Sequence, residues 1–148
     1  MTLFEELQTA SSEEDVKDIY IKHLKLKNYQ KGLIDITTEK MWFEAKHGSQ
    51  ISTYQMFTQL LFYVEGALTS GADLFYGSSI PPYLCVIDSV KAAIIETKNV
   101  IPFLENEGKE IKWGKSASDV SQDALEKVSA FIGTYIISFN LKTNEIEF

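Results

Sequence analysis

The chain has 148 residues, 45% hydrophobic and 24% charged, with a net charge of −7. That length suits one domain, 1–148, with its own core, and that balance is ordinary for a globular chain, not a disordered or fibrous one. One cysteine, Cys85, excludes an internal disulfide, and Cys85 with His23 and His47 is too few ligands for a conventional structural zinc site. No apolar run reaches membrane-spanning length, and the N-terminus lacks the pattern of a secretory leader, so a cytoplasmic location is expected.

In chain order, residues 2–10 read as a turn or short helical lead-in. Ser11 or Ser12 then caps a helix whose first turn carries Glu13, Glu14 and Asp15, charges that suit the positive end of the helix dipole. Val16, Ile19, Tyr20, Leu24 and Leu26 follow approximate helical spacing, which predicts a helix to about Lys27. Two strands follow, near 32–38 and 40–47, with the turn at Thr38-Glu39-Lys40.

Alternation along these strands places Trp42, Glu44 and Lys46 on one face and Met41, Phe43 and Ala45 on the other. By the same rule Leu33 and Asp35 share a face opposite Ile34 and Ile36. Pairing in register brings Asp35 to Glu44. Two carboxylates beside an amine suit a site that holds Mg²⁺ and activates a water. A Glu and a Lys two residues apart on a strand are ordinarily a solvated pair. Trp42 on their face argues against plain solvent surface, and an unpaired Asp35 among Leu33, Ile34 and Ile36 would be costly.

The next helix runs from about Ser52 to Leu68, ends toward Ser70-Gly71, and is apolar on several sides, so it should be largely buried. Gln59 in so apolar a helix needs a partner and is expected near Lys46. Tyr63, one turn on, is expected to pack. Residues 71–82 read as loop, with Gly71, Gly77, Pro81 and Pro82. Tyr83–Ile87 is a continuous apolar run typical of a buried strand, and Asp88-Ser89 turns it into a second strand, Lys91–Glu96. Residues 97–116 read mostly as loop. Residues 117–133 read as a helix capped by Ser116 or Ser118, with Ala124, Leu125, Val128 and Phe131 along one face. Tyr135–Phe139 either continues that helix or forms a strand, and continuation is the preferred reading. The order α–β–β–α–β–β–α indicates an α/β domain around a mixed sheet.

Asp35, eight residues, then Glu44-Ala45-Lys46 on a hairpin resembles the PD-(D/E)XK nuclease motif, with Ile34 at the position of a proline that is often absent in the family. Gln59 and Tyr63 resemble the QxxxY element found after the lysine strand in one branch of these nucleases. The helix opening at Ser11–Val16 stands where an acidic residue often joins the family's site. The pattern covers residues 11 to 96 and is similar to the nuclease part at the N-terminus of restriction-modification enzymes fused to a methyltransferase. A strand ahead of the aspartate strand is limited to residues 27–31, so it must be very short or absent.

The resemblance implies a restriction-endonuclease-like mixed central sheet flanked by helices, Mg²⁺ as cofactor and DNA as substrate. It implies that Asp35, Glu44 and the Ala45 carbonyl hold the ion, with Glu14 or Glu13 adding a carboxylate. Lys46 would act on water or the charged transition state, Gln59 would orient substrate or Lys46, and Tyr63 and His47 would lie toward the substrate. The chain carries no methyltransferase motif, which implies a fragment or a stand-alone relative whose methyltransferase or specificity partner reads sequence. Cutting both strands needs two active sites, hence a homodimer or two passes.

Charge bears on the same reading. All 14 cations are lysines, and residues 17–46 hold seven of them against four acids, while the rest holds seven lysines and seventeen acids. Phosphate neutralisation needs cations, so autonomous tight DNA binding is disfavoured and only local steering is expected. Two other classes stay open. One is a catalytically inactive nuclease-like fold serving as an interaction or DNA-positioning module. The other is a small-molecule-binding α/β domain, which would show an apolar cavity away from Asp35.

Overall fold

The computed structural model describes residues 1–70 and 80–144, and among these no helix is long and apolar enough to cross a membrane. The chain opens with α1 (Leu3–Leu7), capped by Thr2, and α2 (Glu13–His23), capped by the Ser12 hydroxyl on the Asp15 amide. A hairpin follows, β1 (Ile36–Thr37) and β2 (Met41–Ala45), then the long α3 (Thr53–Ser70). Next come β3 (Tyr83–Ile87), β4 (Lys91–Glu96), α4 (Thr97–Glu105) and a 3₁₀ turn, Glu107–Glu110. A small second hairpin, β5 (Gly114–Ser116) and β6 (Asp119–Val120), leads into α5 (Gln122–Ile132), β7 (Ile137–Asn140) and α6 (Leu141–Asn144).

The result is an α/β domain around a five-stranded mixed sheet of order β1-β2-β3-β4-β7. Among the described residues only β2 and β3 run parallel, and α3 lies in the crossover that a parallel pair requires. Helices flank both faces. One face of the sheet buries Trp42, Leu84, Val86, Ala93 and Ile95 against α3, α4 and α5. The other buries Phe43, Ala45, Cys85, Ile87 and Ala92 against α1, α2 and α6. With both faces covered, β3 reads as a continuous apolar run and β2 as one broken only by Glu44.

Four expectations change. The first helix stops at His23, four residues short of Lys27, because Lys25 takes a left-handed φ of 54° and turns the chain away. Residues 97–116, expected as loop, contain α4, the 3₁₀ turn and β5; Val100, Phe103 and Leu104 bury the face of α4 that holds it on the sheet. Residues 117–133 are not one helix, since α5 begins at Gln122 with Ser121, not Ser116 or Ser118, capping the Ala124 amide. Residues 137–140 are strand, not a continuation of α5, because they pair antiparallel with β4, Ile94 opposite Ile137. The loop expected over 71–82 lies outside the described residues as far as 79. Ahead of the aspartate, the only sheet contact is a single bridge from Gln30 to Thr37.

Candidate functional site

The site is built where the β1–β2 hairpin frays. The ladder pairs Thr37 with Trp42 and Ile36 with Phe43, so the next rung is Asp35 with Glu44. At that rung the regular strand stops, and residues 32–35 form a bend. Ile34 packs into the core on the α3 side and Ile36 into the core on the α2 side. In an uninterrupted strand two residues so spaced would share a face. The expected alternation over Leu33–Ile36 is therefore broken at Asp35, and Leu33 is 68% exposed. The bend turns the Asp35 side chain back along the sheet edge, where Oδ2 accepts the Ala45 amide at 2.8 Å.

Alternation along β2 is regular, and Glu44 lies 5% exposed on the side of Trp42, opposite Phe43 and Ala45. Lys46 follows, its amide bonded to the Ile87 carbonyl at 3.0 Å. Its Nζ reaches Glu44 Oε1 at 3.3 Å and, across to the start of α2, Glu13 Oε1 at 3.7 Å. Lys17, one turn further along α2, adds positive charge near Asp35.

Two carboxyls buried this close cannot both ionise freely. Burial pushes Glu44 up to about 8, and the Asp35 charge adds to it, while Lys46 opposes. Asp35 is also raised by burial, against the pull of the Ala45 amide, Lys17, Lys46 and a hydrogen bond with Glu44. The pair thus holds a proton near neutrality and has a standing electrostatic need for a cation.

The other sequence candidates fall as follows. Glu14 is exposed and spent on lysines, pairing with Lys17 at 2.9 Å and Lys31 at 2.6 Å. Gln59 is buried on α3, which packs on β2 and β3, and no hydrogen bond joins it to Lys46 among the described residues. Tyr63 is half-buried against the α3-side core, edge-on to Phe62 at 5.8 Å. His47 Nε2 bonds the Ala10 carbonyl at 3.0 Å, tying the strand end to the α1–α2 linker. Ala45 is fully buried, its amide committed to Asp35.

Lys17 was missed by sequence reasoning, and Glu13 was not separated from Glu14. The signal was available: Val16 and Tyr20 are the buried positions of α2. Glu13, three residues before Val16, shares that inward stripe, whereas Glu14 is turned away from it.

No known protein family, curated protein or solved structure matches this chain.

The donor set can be tested for fit to a metal. Among the described residues no group of three or more His, Cys, Asp or Glu side chains is arranged to hold an ion. Two carboxylates from adjacent strands, with a backbone carbonyl and waters, remain. That set suits Mg²⁺, which is commonly bound through one or two carboxylates and keeps several waters. The weakened acidity of Asp35 and Glu44 is the physical counterpart: a divalent ion would relieve the repulsion that a proton now relieves.

Proposed function

We propose that this domain is a PD-(D/E)XK-type, restriction-endonuclease-like nuclease that hydrolyses DNA phosphodiester bonds with Mg²⁺. The observation that carries the reading is the convergence of Asp35, Glu44 and Lys46 at the frayed end of one hairpin, with both carboxyls raised. The mixed sheet, with its aspartate strand antiparallel and its next neighbour parallel to the lysine strand, is consistent with it.

Asp35 and Glu44 would hold the ion, with the Ala45 carbonyl. Bound there, Mg²⁺ would supply charge neutralisation at the scissile phosphate and a more acidic water. The residues do the rest. Glu44 would serve as a ligand only in its ionised form. Lys46, released from Glu44, turns its amine to the attacking water or to the charge that develops on phosphorus. Glu13 holds the Lys46 ammonium in place between turnovers.

The test is cleavage of supercoiled and linear DNA at low salt and high enzyme, with the chain's natural neighbouring domains present. Mg²⁺ should support cutting and Ca²⁺ should not, since Ca²⁺ tolerates looser geometry and is the weaker Lewis acid. Lys46→Ala should keep metal binding and lose most cleavage; Asp35→Ala should lose both, with thermal melts showing each variant folded. Absence of Mg²⁺-dependent cutting on every DNA form, together with no metal binding by calorimetry, would sink the reading.

A second reading has its own observation. Glu44 is almost fully buried and Asp35 already spends an oxygen on the Ala45 amide. A catalytically inactive nuclease-like module for protein interaction or DNA positioning would look the same, and it predicts the negative result just described.

A further inference from the structure

The opposite end of the same hairpin carries a cavity that the nuclease reading does not use. On the α2 side of the sheet the helices leave one corner open. There Leu24, Leu26, Met41, Phe43 and Ile94 form the floor of a cavity of about 530 Å³. Phe43 is buried and the other four are half-buried. This volume is within the common range for small-molecule sites, roughly 300–1,000 Å³.

The rim is basic. Lys25, Lys27 and Lys40 line it with Thr38 and a single acid, Glu39. Every other lysine between residues 17 and 46 ends on a carboxylate: Lys17 on Glu14, Lys22 on Glu6, Lys31 on Glu14 and Asp18, Lys46 on Glu44. Among the described residues Lys25, Lys27 and Lys40 pair with none, although the chain carries an excess of seven negative charges. Three unneutralised lysines are therefore gathered around one apolar hollow.

Lys25 is placed there at a cost. The end of α2 closes as a Schellman motif: the Leu26 amide bonds the Ile21 carbonyl at 3.1 Å and the Lys25 amide bonds the Lys22 carbonyl at 3.2 Å. The motif needs a left-handed residue at position 25, where glycine is the usual occupant and a side chain is strained. This chain has lysine at φ 54°. The motif also gives the Ile21 and Lys22 carbonyls their amide partners.

We propose that this cavity binds an amphiphilic anion: a small molecule with a short apolar body and a phosphate, sulfate or carboxylate head. The body rests on Met41, Phe43 and Ile94, and the head is met by Lys25, Lys27 and Lys40. The site is independent of the nuclease reading, since Met41 and Glu44 are three residues apart on β2, about 10 Å.

The experiment is calorimetry on the full chain with octyl phosphate below its micelle-forming concentration, beside inorganic phosphate and 1-octanol. One-to-one saturation by octyl phosphate is expected, with each control about tenfold or more weaker, because neither apolar contact nor charge alone suffices. Methyl NMR signals of Met41 and Ile94 should move. Lys25→Gly should weaken binding about tenfold while the melting temperature holds or rises, because glycine suits the left-handed turn. Lys40→Gln should also weaken binding without unfolding the protein. Four results would overturn the proposal: no saturation at millimolar ligand, octanol binding as tightly as octyl phosphate, unchanged affinity in both variants, or displacement of octyl phosphate by equimolar short oligothymidylate.

Discussion

Two buried acidic sites sit at the same end of the sheet and are treated oppositely by their surroundings. Asp88, in the β3–β4 turn, is 1% exposed, yet its Oδ1 accepts the Val90 and Lys91 amides at 2.9 and 2.8 Å and its Oδ2 is paired with the Lys91 ammonium. Its backbone carbonyl accepts the Tyr20 hydroxyl at 2.8 Å. Among the described residues Asp35 and Glu44 share one backbone amide and the Lys46 ammonium, with the more distant charge of Lys17, and they hydrogen-bond each other. A buried carboxylate supplied with donors holds a turn together. A buried pair short of donors is held in place by the fold at a cost, and such sites are where chemistry is commonly found.

The contrast breaks most visibly at Asp88. Asp88→Ala should cost about 2–4 kcal/mol, because it leaves two amides without their acceptor and takes the charged partner from a Lys91 ammonium that keeps, among the described residues, only the Ser49 and Ile51 carbonyls, and urea melts would measure it. A loss under about 1 kcal/mol would mean that Asp88 is not the structural member of the comparison.

The pH dependence of stability comes next. A carboxyl whose folded-state value lies near 8 binds its proton more tightly in the folded chain than in the unfolded one, where it titrates near 4.5. Its contribution is full below about 4.5 and is lost as pH rises toward 8. Glu44→Gln should therefore flatten the stability curve across that window and stabilise the metal-free protein at pH 8, by roughly 2 kcal/mol once proton sharing with Asp35 is allowed for. Thermal melts at pH 5 and pH 8 compare the two chains. Added Mg²⁺ should recover much of the wild-type loss at pH 8 and do little for Glu44→Gln.

A smaller effect separates the two acids of α2. Glu13→Gln removes a partner from Lys46 and should alter the pH profile of cleavage or metal binding. Glu14→Gln should leave that profile unchanged and shift stability by about 0.5 kcal/mol or less, as surface pairs do. Equal responses from the two would remove Glu13 from the site.

The sequence made some of this readable and hid the rest for physical reasons. β3 is apolar throughout and β2 apolar except at Glu44, and burial on both sides leaves that mark. The meeting of Asp35 and Glu44 follows from hairpin length, since a tight turn at residues 38–40 leaves them opposite. The bend at Asp35 does not follow, because Leu33–Ile36 fits a regular strand and only packing shows Ile34 and Ile36 parted. β7 is a strand because β4 offers it an edge, not because Ile136–Phe139 alternates. In α4, Pro102 conceals a helix that Val100, Phe103 and Leu104 anchor from one side.

The segment after the lysine is stitched to the far turn. The Lys46 amide bonds the Ile87 carbonyl, the Gly48 amide the Ser89 hydroxyl at 2.8 Å, and the Ser89 amide the Gly48 carbonyl at 3.0 Å. Gly48 adopts φ 81°, which lets the chain double back onto Ser89. The backbone under Lys46 can thus come loose only with the centre of the sheet, so its amide should exchange with deuterium as slowly as those of β3. The catalytic candidate is fixed when the chain folds, and the freedom left at the site is confined to four methylenes and an ammonium.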